Sequence, residues 1–183
     1  MTRKFPTLPY LLLMAAIVLL DQATKALVVR SLALHAYVPV VDGLLSLSHV
    51  RNRGAAFGFL SDWDVPYQAV LLALLSLGAL LAIALYFLRL PAEARLPRLA
   101  LALVLGGAVG NLVDRLRLGY VVDFVHVYFR EHQWPDFNLA DSAITVGVTL
   151  LVLDILRSPG PARNRAGADT GIDAAEPTAG RID

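Results

Sequence analysis

Cysteine is absent from the 183 residues, so disulfides, thiol nucleophiles and thiolate metal sites are excluded. Charge is scarce as well: 17% of residues are Asp, Glu, Lys or Arg, and the formal net charge is +1. A soluble domain carries roughly a quarter charged residues. A nucleic-acid partner normally demands a basic face, so none is expected. No HExxH or other His/Glu spacing for zinc occurs. No serine follows a Gly-x pair in the manner of a nucleophile elbow (Ser76 lies in Leu-Ser-Leu, Ser142 in Asp-Ser-Ala). No internal repeat is visible, which leaves an inverted-repeat transporter without support.

What the chain has instead is apolar length, with 57% of its residues hydrophobic and gathered in runs. Four spans can be drawn, at 8–29, 65–88, 99–116 and 139–156, and roughly 20 apolar residues suffice to cross the hydrocarbon. Arg3 and Lys4 before the first run give it the look of a signal peptide. Asp21, Gln22 and Lys25 follow where a small-residue cleavage site would be needed, so the run reads as a retained first transmembrane helix. Arg3 and Lys4, then Arg89, Arg95 and Arg98, then Arg157, Arg163 and Arg165 all fall on one side. By the positive-inside rule that side is cytoplasmic, with both termini inside. The expected fold class is an all-α membrane protein of four transmembrane helices with a small extracytoplasmic β-sheet region. Residues 1–158 form the membrane domain, with outer segments at about 30–64 and 117–138. Residues 159–183, rich in Pro, Gly, Ala and mixed charge, read as a disordered cytoplasmic tail.

The outer segments do not have a helical pattern. Residues 37–50 alternate and turn at Asp42-Gly43, a hairpin signal. Residues 121–129 also alternate, placing Asp123, Val125 and Val127 on one face. Trp63 and Trp134 stand where the chain re-enters the membrane, as interfacial aromatics do. The four histidines, His35, His49, His126 and His132, all lie in the outer segments and read as surface or sheet residues.

An ionisable residue within a membrane span costs a few kcal/mol on insertion scales, which makes each a functional candidate. Asp21 and Lys25 are one helical turn apart, and a structural ion pair accounts for Lys25. In GGAVGNLVDR, Gly106 and Gly110 have small-xxx-small packing spacing. Packing does not explain Asn111, Asp114 and Arg115, although snorkelling toward headgroups suits Arg115. In FNLADSAI, Asn138 and Asp141 have the spacing of a capping box, and capping competes evenly with a site role there. Asp123 sits between Val122 and Phe124, so its carboxylate is either paired or pushed toward its neutral form. Two carboxylates held together share one proton. The ionised member can then deprotonate water while the protonated one hydrogen-bonds a scissile carbonyl, with no metal or other cofactor needed.

LLDQATKALV, RNRGAAFGF, GGAVGNLVDR, VVDF and FNLADSAI, in this order, resemble the blocks of the bacterial lipoprotein signal peptidases, signal peptidase II. The resemblance covers about 9–156. It implies an aspartic endopeptidase of the bacterial inner membrane with its active site on the extracytoplasmic side. Its substrates would be diacylglyceryl-modified prolipoproteins, cut just before the lipidated cysteine, with membrane lipids as surroundings and globomycin-type cyclic peptides as inhibitors. The family's catalytic aspartates fall on Asp123 and Asp141. Its supporting positions fall on Asp21, Asn52, Asn111, Asp114, Arg115 and Asn138, with Arg115 and the asparagines expected to orient the acids and the peptide. Its outer sheet, a cradle for substrate, would lie within 30–64, and Phe57 and Phe59 would close over the peptide. The rival from another class is a proton-coupled transporter relaying through Asp21, Asp114, Asp123 and Asp141. A relay would spread its acids through the membrane, whereas these gather at one side. A non-catalytic lipid-binding or assembly protein would have no need of Asp123.

Overall fold

The computed structural model describes residues 7–54 and 67–157. Phe57, Phe59, Trp63 and the tail expected at 159–183 lie outside these residues. Among the described residues four helices are long and apolar enough to cross a membrane: α1 (Leu8–Ser31), α2 (Gln68–Arg89), α3 (Arg95–Leu118) and α4 (Leu139–Arg157). Helix α3 begins earlier than the hydropathy suggested and takes in Arg95 and Arg98. Pro97 is tolerated there because a first-turn residue has no intrahelical amide bond to lose.

Contacts fix the helix directions. Thr7 meets Arg98, Ile17 meets Gly106 and Asp21 meets Gly110, so α1 and α3 run parallel. Gly107 abuts Ala140 and Ile144, while Gly147 abuts Ala100 and Val104, so α3 and α4 run antiparallel. Phe87, near the end of α2, packs with Leu101 and Leu105 in the first half of α3, and the short 90–94 link turns the chain back, so α2 runs antiparallel to α3 as well. Helix α3 is thus the central one, and its Ala100, Ala102 and Leu105 are buried. Leu12, Leu19 and Leu27 of α1 and Leu74, Leu81 and Leu88 of α2 face outward, as surfaces that meet lipid tails require. At the end away from the sheet, buried Arg98 donates to Thr7 Oγ1 at 2.9 Å and lies over the rings of Tyr10 and Phe87.

At the other end sits a four-stranded antiparallel sheet in the order β1 (Tyr37–Val41), β2 (Leu45–Asn52), β3 (Val121–Phe129), β4 (His132–Gln133). The β1–β2 turn contains Gly43 at φ 76°, the left-handed geometry that the Asp-Gly signal called for. The sheet is not confined to 30–64, however. The second edge of β2 pairs with β3, with Val50 opposite Asp123 and Asn52 opposite Val121. A strand left with an open edge would expose unpaired backbone groups, and the second outer segment supplies the partner. Val121 through Phe124 are all buried, so the expected alternation of exposure is lost in the half of β3 that carries Asp123. Gly119, at φ 78°, caps α3 and turns the chain into that strand.

Candidate active site

Asn138 and Asp141 form a reciprocal cap at the start of α4. The Asp141 N–H donates to Asn138 Oδ1 at 2.9 Å, and the Asn138 N–H donates to Asp141 Oδ2 at 3.3 Å. The capping reading is therefore right, yet it does not exhaust the residue. With its oxygen taken by an N–H, the Asn138 amide must turn its NH2 the other way, and it donates to Asp123 Oδ1 at 2.7 Å. One asparagine thus joins the strand-borne acid to the helix-borne acid.

The same logic fixes two more amides. Asn52 Oδ1 accepts from the Gly54 N–H, so its NH2 donates to Asp123 Oδ2 at 2.9 Å. Asn111 Oδ1 accepts from the Lys25 ammonium, so its NH2 donates to Asp141 Oδ1 at 2.8 Å. Each carboxyl oxygen of the two acids therefore accepts one N–H. Asp123 is nevertheless pushed up to about 7, by burial first and by the Asp141 charge second, against the pull of Asn52, Asn138 and Lys25. It is 1% exposed. Asp141 is half-buried and lines a cleft of about 280 Å³ with Trp134, Phe137, Ser142, Thr145 and Val146.

Below the acids lies a second layer. Lys25 Nζ lies 2.9 Å from both Asp21 Oδ2 and Asp114 Oδ2. Asp21 also accepts from the Ala140 N–H at 3.0 Å, and Asp114 accepts from the Val122 N–H at 3.2 Å. Asp21 therefore ties α1 to the start of α4, and Asp114 ties α3 to the strand that carries Asp123. Gln22 bridges Asp21, Asp114 and the Gly110 carbonyl. Arg115 has the Asp141, Asp123 and Asp114 charges around it, but its hydrogen bond goes to the Gly54 carbonyl at 3.2 Å rather than to an acid. All eight residues singled out in the sequence thus meet at the sheet end of the bundle. Gln22 stood in the sequence only as a break in the apolar run, and Gly107 had no role assigned to it. Lys25 was read as an ion pair alone, although its third contact reaches across 86 residues to Asn111. Among the described residues, no group of three or more His, Asp or Glu is placed to hold a metal ion.

The family model for Signal peptidase (SPase) II matches residues 13–157. The chain belongs to this family. Lipoprotein signal peptidases of Geobacter metallireducens and Geobacter sulfurreducens are each 51% identical to it, over 143 and 138 residues. These alignments cover 78% and 75% of this chain and 87% and 85% of the two relatives. Two solved structures, each of a bacterial membrane enzyme, match with TM-scores of 0.75 and 0.76 at 24% and 27% identity. They cover 96% and 87% of this chain, and 99% of each solved chain is matched. The first of these is a likeness of fold alone. Membership in the signal peptidase II family makes the chain a membrane-embedded protease, and the relay-transporter reading finds no support in any of these matches.

Proposed function

We propose that the chain is an aspartic endopeptidase that removes signal peptides from diacylglyceryl-modified prolipoproteins by cutting before the lipidated cysteine. The observation that carries this reading is the Asn138 amide, which holds Asp123 at 2.7 Å while capping the helix turn that bears Asp141. Asp123, near neutrality in its proton affinity, holds the shared proton and donates it toward the scissile carbonyl oxygen. Asp141, open to the cleft, takes a proton from water as the water oxygen bonds to the carbonyl carbon. As the adduct collapses and the C–N bond breaks, Asp123 takes its proton back from the hydroxyl and Asp141 gives its proton to the departing amine.

The supporting roles follow from the contacts. Asn52, Asn111 and Asn138 orient the acids, Asp21 and Asp114 brace the elements that bear them, and Arg115 steadies the 51–54 segment through Gly54. Residues 1–158 act as one membrane domain in the bacterial inner membrane, with both termini cytoplasmic and the acids at the outer rim. Arg89, Arg95, Arg98 and Arg157 at the opposite helix ends support that orientation. Globomycin-type peptides would compete for the same cleft.

The test is cleavage of a synthetic lipidated precursor peptide by the purified protein in a lipid mimetic. Asp123→Asn and Asp141→Asn should each lower the rate by on the order of 10³-fold or more while the helical signal is retained. Undiminished cleavage by either variant would remove that acid from the mechanism.

A further inference from the structure

We infer that Lys25 is a positioning residue of the peptidase site: its ammonium fixes which way the Asn111 amide points and so delivers an N–H to Asp141. The inference rests on the reading of Asp141 as one of the two reacting acids.

An ammonium has three protons and accepts nothing. Lys25 spends them on three oxygens, Asp21 Oδ2 and Asp114 Oδ2 at 2.9 Å each and Asn111 Oδ1 at 3.0 Å. An ion pair between neighbouring turns of α1 would need Asp21 alone. The third proton instead reaches an amide on another helix. Because the ammonium cannot accept, the Asn111 atom facing it must be oxygen, and the NH2 is left for Asp141 Oδ1 at 2.8 Å.

Asn138 also points its NH2 at Asn111 Oδ1, at 3.2 Å, but that group has two protons for three acceptors. Its shorter contact is with Asp123 at 2.7 Å, and the Val122 carbonyl takes a further share at 3.3 Å. Asn138 alone therefore holds the Asn111 oxygen weakly. Without Lys25 the amide oxygen keeps only the shared Asn138 N–H, so the Asn111 NH2 is held less firmly against the Asp141 carboxylate.

A double-mutant cycle in detergent or nanodiscs decides the matter, with kcat and KM measured on the lipidated precursor peptide and melting followed in parallel. Lys25→Met and Asn111→Leu should each lower kcat roughly 10- to 100-fold, the range for losing a hydrogen bond to a charged group. KM should move less than about twofold, because the interaction is with the acid and not with the substrate. The double variant should be no slower than Asn111→Leu alone, since Lys25 acts through that amide. Lys25→Met should melt earlier in either case, because two buried carboxylates lose their cation. A purely structural lysine would in addition multiply its loss of kcat with that of Asn111→Leu, and that result overturns the inference. If Lys25→Met fails to fold, the cycle is run on Asp114→Asn, where adding Lys25→Met returns the Asp21–Lys25–Asp114 cluster to its native net charge. If the unmodified protein does not cleave the peptide, the peptidase reading itself falls, an outcome distinct from additivity in the cycle.

Discussion

Replacing Asn52 with Leu should move the alkaline limb of the pH–activity profile upward. In the proposed mechanism Asp123 must be protonated, so kcat/KM of the native protein declines as pH rises through about 7. Asn52 donates to Asp123 Oδ2 at 2.9 Å and favours the ionised form. Removing that donor makes ionisation harder, so the limb shifts to higher pH. A hydrogen bond to a charged group is worth about 1.5–3 kcal/mol. Asn52 is half-buried, so water takes back part of the loss, and about 1.4 kcal/mol is a fair share to expect. That corresponds to roughly one pH unit. The measurement is kcat/KM for the lipidated peptide across the neutral and alkaline range, for both proteins in the same lipid mimetic. Asn138 still holds Oδ1 in the variant, so activity below pH 6 should fall only severalfold. A limb that stays in place or moves downward would show that Asp123 is not the group whose ionisation ends activity.

Two further outcomes follow from the same geometry. A methyl at Gly107 would strike the Ala140 carbonyl and Ile144, and one at Gly147 would strike the Ala100 carbonyl and Val104. Both Ala variants should melt earlier, at about 1–3 kcal/mol of overpacking. Gly107→Ala should also lose activity in the folded state because it displaces the turn bearing Asp141, whereas Gly147→Ala should keep its kcat. As for stability, Asp123 binds its proton more tightly when folded, with its pKa pushed up to about 7 from the ordinary 3.8. Rising pH between those values therefore costs stability, by up to about 4 kcal/mol at 1.36 per unit. Asp123→Asn should melt above the native protein at pH 8 and level with it near pH 4 by scanning calorimetry; a lower melting point at pH 8 would contradict the burial argument.

The spans were legible because a bilayer imposes length and apolarity, and both are written locally along the chain. The β1–β2 turn was legible from Asp42-Gly43 for the same reason. What eluded the sequence was tertiary in origin. Asn138 and Asp141 gave even odds between cap and site because spacing shows the cap, while the bond from Asn138 to Asp123 spans 15 residues with no periodicity to announce it. Lys25 looked sufficient as a partner for Asp21, and nothing near it in sequence points to Asn111. The pairing of β2 with β3 also depends on which edge is left open once the helices have brought the two outer segments together. Gly107 stood beside Gly106, and only the approach of α4 separates their roles: one lies against Ile17, the other against the Ala140 carbonyl.

Asn138 closes the opening turn of α4 with its oxygen and grips the neighbouring strand with its nitrogen. Fraying of that single turn would therefore loosen both acids together, leaving Asp123 to Asn52 and Asp141 to Asn111. Heat inactivation of such a protein would track this local melt and set in while the rest of the bundle remained intact.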